Sequence, residues 1–405
     1  QLIIEAYGNG GAIFFNETTN CSLFISDCIF DSNLGSYGAG IYIEPGLDEL
    51  NVFGTQFLNN RNNQYRGPAF FAGSTTYEVK SIIFASIVQC TFHNNSIGGN
   101  AKNQGTAFFI TTENFVLKQC NFTSNHGLIN NDCAVCSISL ITQTLEPLIL
   151  LIDSCNFESN AGSLVDITGD FIEEVKLINC QFTKNAFCGS SVLREGPDIG
   201  VVLPPNLTFD GCIFVSNSNT YASTNANQLY IPKGSRRYNI IRNCIFNGEG
   251  VTQSGPSLSI NSYTEIANTS FIKHSQSSTT LTVAETTLSL ISIEFINNSC
   301  TGNKNGFICT SGNVTIHDIT FTNTISITNA AYLIIENANL SNNGIEATAE
   351  HILITNSHFE SDKFLPFQFS ASDLLSVNNL SSTHTQNPIE FCGLNSASKI
   401  VVQNS

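Results

Sequence analysis

Two aspartates, Asp153 and Asp210, have the most to offer a catalyst, because each stands four residues before a phenylalanine in a recurring phrase. A pair of carboxylates flanking a glycosidic bond is the apparatus of a glycoside hydrolase. Two repeats apart, their backbones would be separated by about 9.6 Å at strand spacing, the upper edge of what an inverting enzyme uses. The same position in neighbouring repeats holds Lys118, Ile178 and Arg242. A solvated face of alternating charge is therefore expected, and no catalytic residue is assigned. Cys133-x-x-Cys136 has the spacing of a metal or redox pair, but no second pair or histidine cluster accompanies it, so neither metal nor cofactor is expected.

The remaining cysteines lead to the elements that hold them. Cys28-Ile29-Phe30-Asp31-Ser32-Asn33 recurs as Cys90…Asn95, Cys120…Asn125, Cys155…Asn160, Cys180…Asn185 and Cys212…Asn217. Degenerate copies centre on Phe57, Phe246, Phe271, Phe295, Phe321, Leu340, Phe359 and Leu380, and the copies lie roughly 19–35 residues apart, a period that marks a solenoid. Five and seven residues before the phenylalanine the chain is apolar, as at Leu23 and Ile25 or Leu150 and Ile152. Three before it stands a turn-forming residue such as Asp27, Gly54 or Asn179. Alternation of period two predicts a short strand, then a corner, then a second strand with Cys and Phe both facing inward. The asparagine three residues on is expected at the next corner, where it tolerates a left-handed backbone. A glycine-small-apolar element follows, as in Gly38-Ala39-Gly40-Ile41 and Gly105-Thr106-Ala107-Phe108, and reads as a third strand.

The expected fold is all-β: a parallel β-helix solenoid with about three short strands per coil. Roughly fourteen coils at strand spacing give a rod of about 65 Å, one domain over residues 1–405. Longer insertions near 58–88 and 124–150 are expected to bulge outward as loops. Phe30, Phe92, Phe122, Phe157, Phe182 and Phe214 should stack, and the asparagines should form an amide ladder. Cys28, Cys90, Cys120, Cys155, Cys180, Cys212 and Cys244 should form an inward column of small buried thiols, although disulfides between neighbouring coils also suit the spacing. Cys21 with Cys28, Cys133 with Cys136, and Cys300 with Cys309 are the other bridge candidates.

Gly10-Gly11-Ala12-Ile13, taken with the recurring Phe-x-x-Asn, resembles the repeats of the polymorphic membrane proteins. The resemblance covers nearly the whole chain. It implies a right-handed parallel β-helix and an exported surface protein used in adhesion or coat building. The C-terminal membrane-barrel pattern of the bacterial members is not seen in this chain.

Composition narrows the partners. Charged residues make up 12% of the 405 and the net charge is −16, which argues against nucleic acid, since phosphate neutralisation needs clustered Lys and Arg. No apolar run is long enough to span a bilayer as a helix, so no direct membrane insertion is expected. Methionine and tryptophan are both absent, and the chain starts at Gln1; the expectation is an extracellular or cell-surface protein whose signal peptide has been removed. Ten N-glycosylation sequons fall at Asn16, Asn20, Asn94, Asn121, Asn206, Asn268, Asn297, Asn313, Asn339 and Asn379, making N-linked glycans expected partners.

The segment from Ile400 to Ser405 matches Val175 to Cys180 in phase, and joining it to Gln1 would place Leu2 in the phenylalanine slot and Glu5 in the asparagine slot. Leu2, Ile4, Ile400 and Val402 are thus candidates for head-to-tail contact with another copy of the chain. The expected function is a non-enzymatic structural glycoprotein that stacks into a fibril or surface coat, although a section of a longer β-helix would show the same phase match. A carbohydrate- or host-binding adhesin is the alternative, with Tyr65, Tyr77, Tyr221 and Tyr230 as contact candidates; a polysaccharide-degrading enzyme is a third.

Overall fold

The alternation of apolar residues is realised as short strands throughout. The structure, a computed structural model, describes residues 11–15, 21–44, 46–63, 67–73, 82–98, 105–127, 134–140, 148–169, 172–187, 193–195, 205–219, 228–231, 238–250, 257–260, 262–273, 281–283, 288–296, 307–309, 312–317, 320–321, 325–341, 344–360, 367–383, 389–393 and 399–403. Among these residues there is no helix, and every strand pairing of known register is parallel. Contacts divide the chain into two compact units, 1–208 with 217–221 and 209–216 with 222–405.

In the first unit each strand lies beside its equivalent one repeat away. Ile29–Asp31, Gln56–Leu58, Thr91–His93, Asn121–Thr123, Asn156–Glu158 and Gln181–Thr183 pair in turn, placing Phe30, Phe57, Phe92, Phe122, Phe157 and Phe182 in one register column. Their rings stack nearly parallel with centroids 4.7–5.4 Å apart. The strand before the corner pairs likewise: Leu23, Leu50, Ala85 and Phe115 share one column, and Ile25, Val52, Ile87, Leu117, Ile152 and Leu177 another. The glycine-small-apolar element is a strand too, with Ile41, Phe70, Phe108, Cys136, Val165 and Leu193 in register. Its glycines are needed because a Cβ on Gly11 or Gly40 would run into the carbonyl oxygen of Ala39 or Ala69 in the next repeat. The spans 58–88 and 124–150, expected to be loops, contain the strands Phe70–Ala72, Ile82–Val88 and Ala134–Leu140.

The amide ladder forms, but its asparagines are not the left-handed residues. The positive φ falls one residue earlier, at Ser32 (58°), Asn59 (51°), Asn94 (53°), Ser124 (56°), Ser159 (55°) and Lys184 (54°). Those side chains lie at or near the surface, while Asn33, Asn60, Asn95, Asn125, Asn160, Asn185 and Asn217 are buried to within 2%. The inner asparagines bond to one another along the column, and Asn125 is bonded at every polar atom of its side chain. The Oδ1 of Asn125 accepts from the backbone N–H (3.1 Å) and the Nδ2 (3.0 Å) of Asn95, and its own Nδ2 donates to Phe92 O (2.8 Å) and Asn160 Oδ1 (3.1 Å). The other corner, three residues before the phenylalanine, is left-handed as expected, at Asp27, Gln89, Gln119, Ser154 and Asn179. Gly54 takes the same conformation with φ 56°.

The second unit repeats the scheme, with Leu340 entering the phenylalanine column. Phe214, Phe246, Phe271 and Phe295 are in register, as are Phe321, Leu340 and Phe359. The residue registered on Phe359 is Ser382, not Leu380. With its left-handed corner at Asn379, this repeat puts Leu380 in the cysteine slot, a slip of two residues that leaves it on the same inward face. Asn243, Asn268, Asn337, Asn356 and Asn379 all have φ between 47° and 55°. Some of these corner amides bond at the surface: Asn379 Nδ2 donates to Asn356 Oδ1 at 2.9 Å, and Asn268 Nδ2 to Asn243 Oδ1 at 3.4 Å.

Removing a rung leaves several buried groups without partners. We predict that Asn125→Ala destabilises the protein by about 3 kcal/mol or more. Asn121→Ala, at an exposed position of the same repeat, is expected to change stability by less than about 0.5 kcal/mol. Urea unfolding of both variants measures the difference.

Candidate functional site

The cysteine column does a job that its apolar appearance hides. Each side chain here reaches back to the carbonyl of the residue two before it, just ahead of the left-handed corner. Cys90 Sγ donates to Val88 O at 3.3 Å, Cys120 Sγ to Lys118 O at 3.3 Å and Cys180 Sγ to Ile178 O at 3.3 Å. Where the repeat has a hydroxyl residue instead, the bond is the same: Thr55 Oγ1 to Phe53 O at 3.0 Å, Thr269 Oγ1 to Ala267 O at 2.9 Å, Ser357 Oγ to Thr355 O at 3.0 Å. The same atom accepts a backbone N–H from the preceding repeat, as Cys120 Sγ does from Cys90 (3.4 Å) and Thr269 Oγ1 from Cys244 (3.4 Å). In these repeats the slot therefore holds a small side chain that both donates and accepts, whereas Ala338 and Leu380 fill it by packing alone. A disulfide would consume that capacity.

Cys21, Cys28, Cys90, Cys120, Cys136, Cys155, Cys180, Cys212, Cys244 and Cys392 are free thiols. Cys28 is half-buried, whereas Cys90, Cys120, Cys155, Cys180, Cys212 and Cys244 are buried. Cys136 lies in the register column of Phe108 and Val165 and is fully buried. Burial pushes the thiols of Cys136 and Cys155 well above the ordinary range, so they stay protonated and unreactive at neutral pH. Cys133 and Cys300 lie outside the described residues.

Each candidate carboxylate is engaged by cationic or amide neighbours within its own unit. In the first unit Asp153 Oδ2 lies 3.1 Å from Lys118 Nζ, and Asp153 Oδ1 accepts from Ser154 Oγ at 2.7 Å. In the second, Asp210 takes Arg242 Nη2 at 2.8 Å, Arg242 Nε at 2.9 Å and Asn243 Nδ2 at 2.8 Å. Burial raises the Asp210 carboxyl, but the bonds from Asn243 and Arg242 and the guanidinium charge outweigh it and hold the group below its ordinary value. A general acid needs the opposite shift. No group of three or more metal-ligating side chains occurs among the described residues.

The described sequon asparagines fall into two settings. Asn121, Asn313 and Asn339 are exposed on strands, Asn206 is half-buried at the start of one, and Asn94, Asn268 and Asn379 are exposed at left-handed corners. The corner amides are already engaged, as Asn94 Nδ2 is with Asn59 Oδ1 at 2.8 Å. Asn16, Asn20 and Asn297 lie outside the described residues, as do Leu2, Ile4, Tyr65, Tyr77 and Tyr221. Tyr230 is half-buried within the strand Leu229–Ile231.

Two surface features escaped the sequence reading. A shallow polar cleft in the first unit is lined by Ser32, Asn59, Arg61, Asn94, Ser96 and His126. It forms because Arg61 and Ser96 pair in register one repeat apart, beside the left-handed corner. In the second unit, rings stand in pairs on the outer face: Tyr238 with Tyr263 at 4.9 Å and Tyr332 with His351 at 4.5 Å. The signal was present, since these residues all lie eight places before a phenylalanine slot, but that column varies in type from repeat to repeat. Comparison with known protein families, with curated proteins and with solved structures finds no match.

Because Cys120 both donates to Lys118 O and accepts from Cys90 N–H, Cys120→Ser or Cys120→Thr is expected to cost less than the nearly isosteric Cys120→Val, which loses both bonds and about 1–2 kcal/mol. Thermal unfolding ranks the three. In native protein an alkylating reagent should modify exposed Cys392 and spare Cys90, Cys120, Cys155 and Cys180 until denaturant is added; mass spectrometry of the labelled peptides reads this directly.

Proposed function

We propose that this chain is an extracellular, non-enzymatic structural glycoprotein, a right-handed parallel β-helix of roughly fourteen coils that stacks head-to-tail into a fibril or surface coat. The observation that carries the reading is the self-pairing of the repeat body, in which Phe92, Phe122 and Phe157 stack ring on ring and Asn95, Asn125 and Asn160 bond amide to amide. Ile400 and Val402 continue the register of the core residues Leu375 and Val377. A parallel edge of such a repeat accepts another repeat of the same pattern. When a second copy supplies that repeat, the contact is heterologous and open, which generates a filament. The stacking groups support the same reading, since flat rings, amides and small hydroxyls or thiols pair with copies of themselves. Exposed strand sequons support the glycoprotein assignment, and carboxylates tied into ion pairs speak against hydrolysis.

Negative-stain electron microscopy of the 1–405 chain tests this. Long rods with a repeat near about 65–70 Å are expected; particles that remain short and single at high concentration would overturn the stacking. The polar cleft around Arg61 and His126 favours a second reading, an adhesin for surface carbohydrate or a host ligand. Saturable glycan binding that is lost in Arg61→Ala would put that reading first.

A further inference from the structure

The paired rings on the outer face of the second unit have an order along the strands. Asn313 is registered on Tyr332, and Tyr332 on His351. The rings of Tyr332 and His351 lie 4.5 Å apart and within 13° of parallel, so the stack runs across the strands at about the interstrand spacing. One face of Tyr332 is therefore covered by His351, and the other looks toward the strand carrying Asn313. Tyr332 is 50% exposed, and Asn313 is exposed beside buried Val314. On the far side, His351 Nδ1 lies 3.4 Å from Asp373 Oδ2. Among the described residues, the platform is thus covered by a ring on one side and by none on the other.

Asn313-Val314-Thr315 is a sequon. We propose that the N-glycan on Asn313 lies back over the open face of Tyr332, so that its innermost pyranose continues the stack formed by Tyr332 and His351. The inference rests on the glycoprotein reading above. The face of an aromatic ring carries partial negative charge, and the axial C–H groups of a pyranose carry the complementary positive charge. The contact is weak between free partners. Here the sugar is tethered one strand spacing from the ring, so its effective concentration is high and the stacked state is populated. That proximity is why the occupant is the chain's own glycan rather than a saccharide from solution. The consequence is an ordered glycan, lying along the second unit's outer strands and covering an otherwise bare tyrosine.

The test uses the full chain secreted from a eukaryotic host with isotope-labelled glycans. Glycopeptide mass spectrometry first establishes whether Asn313 is occupied. NMR then reads the protons of the innermost sugar at that site: the ring current of Tyr332 should move them upfield in the parent protein. The shift should persist in Tyr332→Phe, which keeps the ring, and vanish in Tyr332→Ser. Both substitutions are at an exposed position, so folding is expected to survive, and thermal unfolding checks it. Tyr332→Ser should also lower the Tm of the glycosylated protein more than that of the enzymatically deglycosylated one. An occupied Asn313 with no upfield shift, or a shift equal in all three proteins, overturns the stacking while leaving the glycoprotein reading intact. An unoccupied Asn313 removes the glycan at this site and the inference with it.

Discussion

Parallel, in-register pairing is the constraint on which the rest depends. It sets each residue of the repeat body directly beside its own equivalent, so a side chain must be a type that tolerates its own copy at strand spacing. Flat rings do, and the phenylalanines of the first unit stack within 13° of parallel. Amides do, because each carries both a donor and an acceptor. A thiol or hydroxyl does for the same reason. A charge does not, unless the next repeat carries the opposite sign, as Lys118 and Asp153 do. The low content of charged residues, 12%, follows from this rule as much as from any preference for a partner.

The same rule explains why the loops can vary. The buried asparagines bond across separations of 25 residues at Asn160 and Asn185 and 35 at Asn60 and Asn95. Rung geometry is the same in both, at 3.1 and 3.0 Å. What lies between two rungs is immaterial to the ladder, provided the chain returns to register. The corners achieve that return by placing one residue in the left-handed region, where Asn, Asp, Ser, Gln, Lys and Gly all occur. The surface amides of the second unit, such as Asn356 with Asn379, offset part of the backbone strain with side-chain bonds.

Much of this was legible from residue types alone. The phenylalanine and asparagine columns, the strand before the corner and the third strand follow from a period-two pattern that the repeat copies many times over. What stayed hidden depends on one-residue detail. The left-handed residue is Ser124 rather than Asn125, because the asparagine amide is committed inside and the turn must be made by its neighbour. Leu380 reads as a phenylalanine substitute by size, yet register places it over Ser357, two residues off. The apolar character of the cysteines points to packing, whereas Thr55, Thr269 and Ser357 make the same bond in the same slot and mark the thiols as donors. The surface features were hidest of all to pattern, since Arg61, His126, Tyr332 and His351 stand at positions the repeat leaves unspecified.

The buried amides also share an orientation. In each bonded rung from Asn33 to Asn217 the Nδ2 group reaches forward to the Oδ1 of the next repeat. The carbonyl dipoles therefore point one way and add, as peptide dipoles do along a helix. Among the described residues, Asn33 Oδ1 is buried without a partner at the oxygen-leading end. Bonds in such a chain polarise one another, so each rung is strengthened by those on either side. The column is an electrically polar filament within the first unit: its two directions are not equivalent, and its cohesion per rung grows with the number of repeats in line.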